Sequence, residues 1–197
     1  MREIEPEYSR HLDDMEAIDR SLQEDVSASF AAYQADGSQT NRRAYVRAVF
    51  SSIEGIAFIL RQEALNPYYS GPPDHLETAE IALLMEEDYQ IDSRGRAKTK
   101  QYVGPTLPLI KFSIGSFIKA YELDRQADYG GQGWEDLQAA AAIRNRITHP
   151  RSGNALEITD SEMEQIVAAY DWFNNTVNPL FGAATHAVNE WWQAQER

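Results

Sequence analysis

At 197 residues the chain has length for one full hydrophobic core, and the absence of cysteine excludes disulfides and thiolate metal sites. No apolar run approaches the ~18 residues of a membrane span and no signal peptide stands out, so a soluble cytoplasmic protein with no membrane partner is expected. A net charge of −13 argues at first against nucleic acid, yet Arg94 to Arg151 holds ten basic against five acidic residues and the remainder eight against twenty-six.

The first predicted helix runs from about Tyr8 to Ala35, with Leu12, Met15, Ile18, Leu22, Val26 and Phe30 at three- and four-residue spacings. Asp36-Gly37-Ser38 ends it. Its other face carries Asp13, Asp14, Glu16, Asp19, Glu24 and Asp25, read as a solvated face or, less simply, as an acidic docking surface for a basic partner. A second helix, Thr40 to Leu65, shows a sustained stripe through Val46, Val49, Ile53, Ala57 and Leu60, and Asn66-Pro67 is expected to close it. Glu54 lies between Phe50 and Phe58 at i±4 and so borders that stripe. A carboxylate near a core calls for a cationic partner, and Arg144 is the candidate.

Residues 66–105 are the least regular part and are read as an insertion in a single domain spanning 1–197. Tyr68 to Pro73 is expected to be a loop and Asp74 to Glu87 a short helix. A hairpin should follow, with Tyr89 to Asp92 paired to Ala97 to Val103 across the turn Ser93 to Arg96. Arg94, Arg96, Lys98 and Lys100 recur at i+2, which on a strand gives one cationic face. Such a row tracks a phosphate backbone or protects a strand edge from aggregation.

Thr106 begins a third helix with Pro108 in its first turn, and Gly130 to Gly133 is a loop with no phosphate-loop signature. The fourth helix, Trp134 to Thr148, ends in Ile143-Arg144-Asn145-Arg146-Ile147-Thr148-His149-Pro150. A capping box at Thr159 and Glu162, with Ile158 and Met163 as a hydrophobic staple, then opens a fifth helix. Asn178-Pro179 is expected to kink or divide it before an aromatic tail at Trp191 and Trp192. The fold class is all-α: an antiparallel bundle of four to six helices with a small mixed insertion containing a β-hairpin.

On an unbroken helix Arg144 and His149 would stand about 140° apart. Pro150 pushes the preceding residue out of the α region, so His149 is free to swing toward the face of Arg144, while Asn145, at i−4, tethers His149 or its backbone. A fixed guanidinium, an imidazole that titrates near neutrality and an amide then share one helix end. Dipole stabilisation of a helix C-terminus also accounts for Arg144 and Arg146. His11, His75 and His186 have no comparable setting, and His186 with Glu190 is too small a set for a metal.

Arg144 followed by Asn145 and by His149 five residues after the Arg resembles the R-x4-6-H signature of the HEPN superfamily. The resemblance covers roughly residues 40 to 180; the 66–105 insertion is not demanded by it. Arg151 stands where the nucleotidyl-modified, antitoxin-paired branch often has Tyr, two residues after the His. The resemblance implies a metal-independent endoribonuclease of toxin or defence type, working without a cofactor, commonly as a homodimer with the site at the interface. Arg144 would hold the phosphate, Asn145 orient the group and His149 act as base or acid, with Glu54 in support. Arg146 and Arg151 join Arg94, Arg96, Lys98 and Lys100 as expected RNA contacts. The competing reading is a non-catalytic HEPN-like module that binds a partner or inhibitor protein.

Overall fold

A computed structural model of the chain describes residues 6–70 and 75–195. Six helices and one two-stranded antiparallel hairpin make it all-α in class with a small β insertion. In order these are α1 (Pro6–Ala35), α2 (Gln39–Ser70), α3 (Thr78–Leu84), β1 (Glu87–Ile91), β2 (Ala97–Gln101), α4 (Thr106–Ala120), α5 (Gln132–Thr148) and α6 (Asp160–Gln195), with a 3-10 turn at Gly153–Leu156 before α6. Among the described residues no helix is long and apolar enough to cross a membrane.

By packing the chain forms two compact units. The first is Met1–Ile56 with Tyr129–Phe173, the second Ala57–Asp128 with Asn174–Arg197. In the first unit the 3.6-residue stripe of α2 is fully buried at Val46, Val49, Phe50 and Ile53. Each such side chain contributes on the order of 1.5 to 3 kcal/mol by leaving water. Helix α1 runs against α2 so closely that a Cβ at Gly55 would overlap Leu22, and Phe30 packs at a tilt with its ring centre 5.2 Å from that of Tyr45. Ser52 and Tyr170 hydrogen-bond at 3.1 Å while Gln39 binds Ile158 at both its amide and carbonyl, so α2 and the start of α6 run in the same direction. Helix α5 runs opposite to α6: Trp134 meets Trp172 edge-on at 5.5 Å, and further along Arg146 meets Glu162. Alternating helix directions of this kind are what short connections between helices produce.

The second unit packs α4 through Ile110, Ile114 and Phe117, with Phe117 5.4 Å from Phe181 of α6. Its hairpin pairs Glu87 with Gln101 and Ile91 with Ala97 in a continuous register. Glu86, at φ +56°, reverses the chain between α3 and β1, and its carbonyl accepts from the Tyr102 N–H.

Several boundaries differ from the sequence expectation, among them β1, which starts at Glu87 rather than Tyr89, and β2, which ends at Gln101 rather than Val103. Helix α2 continues through Asn66-Pro67 to Ser70, because a proline four residues from a helix end removes only one hydrogen bond. The loop expected at Tyr68 to Pro73 therefore begins inside α2, and its later part falls at 71–74, outside the described residues. Helix α3 is shorter than the expected Asp74 to Glu87; a capping box sets its start, with the Glu77 N–H donating to Glu80, and the positive φ of Glu86 follows its end. Pro179 does not divide α6, since Val177 and Leu180 on either side of it are buried and hold the helix in place.

Candidate functional site

Helix α5 is seated by Leu137, Ala140, Ile143 and Ile147, all buried, and this seating fixes the direction of its last turn within the first unit. Gly131 and Gly133 lead into it, and a Cβ at Gly133 would overlap the Trp172 ring, so only glycine permits the close approach of that turn. At the other end Thr148 Oγ1 donates to the Arg144 carbonyl at 2.7 Å, and the His149 N–H donates to the Asn145 carbonyl at 3.0 Å. His149 itself has φ −123° and ψ 61°, so it leaves the helical path before Pro150 as the chain chemistry requires.

Arg144 sits beside the buried face. Its Nη2 donates to Glu54 Oε1 at 2.9 Å and Oε2 at 3.2 Å, and its guanidinium lies 5.9 Å from the centre of the Phe50 ring. Nη1 donates to Asn145 Oδ1 at 3.2 Å. Asn145 thus engages His149 through its backbone carbonyl, while its side-chain amide serves Arg144 rather than the imidazole. The Arg144 and Glu54 side chains are 27% and 40% exposed, so water screens the pair. The fixed guanidinium keeps Nε without an acceptor among the described residues. His149 is exposed, and its imidazole forms no hydrogen bond or ion pair among those residues. A fixed cation and a solvent-accessible imidazole five residues apart at one helix end are the groups that binding of an anion and transfer of a proton require.

The neighbouring cations divide. Arg146 donates to the Glu157 carbonyl at 2.7 Å and to Glu162 Oε1 at 2.7 Å, tying the 3-10 turn to the start of α6. Glu162 also completes the capping box, accepting from the Thr159 N–H at 2.9 Å while its own N–H donates to Thr159 Oγ1 at 3.2 Å. Arg146 is a structural tie whose guanidinium is already occupied. Arg151 is exposed and makes no side-chain bond among the described residues.

The hairpin cations belong to the second unit. Arg96 turns back onto Asp92, with Nε at 3.0 Å and Nη2 at 2.8 Å from Oδ2, while Asp92 Oδ1 accepts from the backbone N–H groups of Arg94 and Arg96. Those bonds, the Arg96 N–H foremost and its guanidinium next, hold the Asp92 carboxyl below its usual range. Lys98 and Lys100 are exposed opposite Gln90 and Asp88, and Arg94 is exposed at the turn. The cationic row is thus Arg94, Lys98 and Lys100, with Arg96 neutralised by its own turn.

Sequence reasoning missed Arg61. Its side chain is buried in the second unit, donating to Ser113 Oγ and Glu86 Oε1, each at 2.9 Å, and so anchors the start of the hairpin to α2 and α4. The signal was its place four residues after Ala57 and four before Leu65, on the apolar stripe itself. His75 pairs with Glu122, and His186 Nδ1 lies 3.3 Å from Glu190, both exposed. Among the described residues no three acidic or histidine side chains come together as a metal site would need. No protein-family model, curated relative or solved structure matches the chain.

Proposed function

We propose that the chain is an endoribonuclease of HEPN type that cleaves RNA by attack of a 2′-OH on the adjacent phosphate. The observation that carries this reading is His149, lifted out of α5 before Pro150 with a free, exposed imidazole at the helix end that fixes Arg144. In the reaction the 2′-oxygen bonds to phosphorus and gives up its proton to a base, while the 5′-oxygen leaves and takes a proton from an acid; a 2′,3′-cyclic phosphate and a 5′-hydroxyl result. His149 moves the proton, Arg144 steadies the charge on the phosphate oxygens, and Glu54 and Asn145 position Arg144. Arg151, in the same unit, supplies an exposed cation for the RNA backbone, and Arg94, Lys98 and Lys100 make a separate cationic row on the hairpin of the second unit. With one histidine in the motif of each chain, the second proton transfer is left without a donor. A two-fold homodimer brings a second His149 to the same cleft, one neutral and one protonated. The working site is then cytoplasmic and shared between two chains.

The test is incubation of wild type, Arg144→Ala and His149→Ala with total and structured RNA in EDTA. Cleavage by wild type alone supports the reading; equal cleavage by all three, or by none, removes it. The second reading, a HEPN-like module that binds a protein without chemistry, draws on one observation: Glu54 already neutralises Arg144. Failure of RNA to compete with Glu54 for Arg144 would favour it.

A further inference from the structure

An open groove of about 390 Å³ runs between α1 and the first turns of α6, within the first unit, floored by Phe30, Tyr33, Met163 and Val167. Phe30 and Tyr33 are braced from behind by Tyr45, at 5.2 and 6.2 Å between ring centres, so the aromatic wall is fixed before anything binds. Glu164 and Asp171 also line the groove, both exposed, and neither makes a hydrogen bond or ion pair among the described residues. The Tyr45 phenol is pushed up to about 12, by burial first and by the Asp171 charge second, which places that carboxylate's field over the aromatic cluster. Arg42, the cation that does reach this wall at 5.9 Å from the Tyr33 ring, is committed to Asp160 and to the Ile158 carbonyl. The groove therefore combines an apolar floor with two unneutralised negative charges. Seven residues separate them on α6, two turns and about 10 Å along one face.

We propose that this groove docks a basic amphipathic segment of a protein partner. One apolar side chain enters between α1 and α6, and two Lys or Arg side chains about two turns apart meet Glu164 and Asp171. Charge complementarity selects this occupant: an RNA strand would bring phosphates to two carboxylates, and a purely apolar segment would leave both charges facing it unpaired. The proposal is independent of the ribonuclease reading, since none of its residues belongs to the Arg144 site.

The probe is a fluorescein-labelled helical peptide of fifteen residues with Lys at i and i+7 and Leu between them on the same face, beside a shuffled peptide of identical composition. Binding to the full chain is read by fluorescence anisotropy. The patterned peptide is expected to bind at least about tenfold more tightly than the shuffled one. Glu164→Gln with Asp171→Asn removes that preference, and Glu16→Gln with Asp19→Asn, on the exposed face of α1, leaves it intact. All four positions are exposed, and matching thermal melts establish that the variants fold. Equal binding of the two peptides, or equal loss from both double variants, overturns the proposal. So does a change of oligomeric state in the Glu164/Asp171 variant, which assigns the groove to a second copy of this chain.

Discussion

Arg144 Nη2 donates to both carboxylate oxygens of Glu54, at 2.9 and 3.2 Å, from a position 90 residues further along the chain. Because both side chains reach solvent, the pair is worth little to the fold. Glu54→Ala is expected to lower stability by less than ~1 kcal/mol, a change of only a few degrees in a thermal melt of a chain this size. Its effect should fall on RNA cleavage, since Arg144 loses the group that aims it. A large fall in melting temperature would mean that the pair is structural instead.

Arg146 behaves in the opposite way. Removing its guanidinium strips the Glu157 carbonyl and Glu162 of a charged donor and loosens the start of α6. Arg146→Ala is expected to cost about 1 to 2 kcal/mol in urea unfolding. The salt dependence of RNA binding should not move. A reduced salt slope with unchanged stability would return Arg146 to the RNA surface.

On the hairpin the same logic separates neighbours. Lys98→Ala with Lys100→Ala is expected to flatten the plot of log affinity for single-stranded RNA against log salt by about 1.4, two phosphate contacts' worth. Arg96→Ala should leave the slope alone, because Asp92 already neutralises that guanidinium. Filter binding across a salt series reads both.

The hairpin turn should also loosen in acid. The folded-state pKa of Asp92 is lowered by its backbone donors and Arg96. That of Glu80 is also lowered: burial works upward, but the Lys119 bond and the Glu77 N–H outweigh it. A depressed carboxylate contributes stability that is present above its unfolded-state value, near 4, and is lost as pH falls through the lower folded-state value. Protection factors of the amides in β1, β2 and the start of α3, corrected for the intrinsic pH dependence of exchange, are thus expected to fall below about pH 4. Protection that stays constant down to the folded-state range would contradict the assignment.

The shared-site proposal makes a separate demand. Wild-type chains mixed with an excess of His149→Ala chains are expected to lose activity as the square of the wild-type fraction, since a cleft that needs two His149 side chains fails when either is missing. Activity that falls only in proportion to the wild-type fraction, in a mixture shown by sedimentation to contain heterodimers, would confine the site to one chain.

Much of this architecture was legible because local chemistry decides it. The stripes of α1, α2, α4, α5 and α6 follow from the helical period, the Thr159 and Glu162 capping box from its spacing, and the hairpin from its turn. Glu54 betrayed its partner by lying between Phe50 and Phe58. What escaped depends on groups distant in sequence. Pro67 read as a helix end and Pro179 as a kink or a division, yet both lie inside continuous helices, where buried neighbours such as Leu65, Val177 and Leu180 outweigh one lost hydrogen bond. Arg146 read as a free cation because its acceptors lie in the following turn and in α6. Arg61 went unremarked because Ser113 and Glu86 reach it from other elements. The groove under Phe30 and Tyr33 exists only once α1 and α6 are side by side.

The central claim is that His149 moves the proton of a 2′-OH attack, and single-turnover cleavage of a defined RNA in EDTA tests it most directly. The RNA is compared with the same strand carrying one 2′-deoxyribose at the cleaved position. The account expects wild type to cut only the ribose strand, leaving a 2′,3′-cyclic phosphate, and His149→Ala to be slower by about a hundredfold or more. Cleavage of the deoxy strand, or an unchanged rate in His149→Ala, would contradict it.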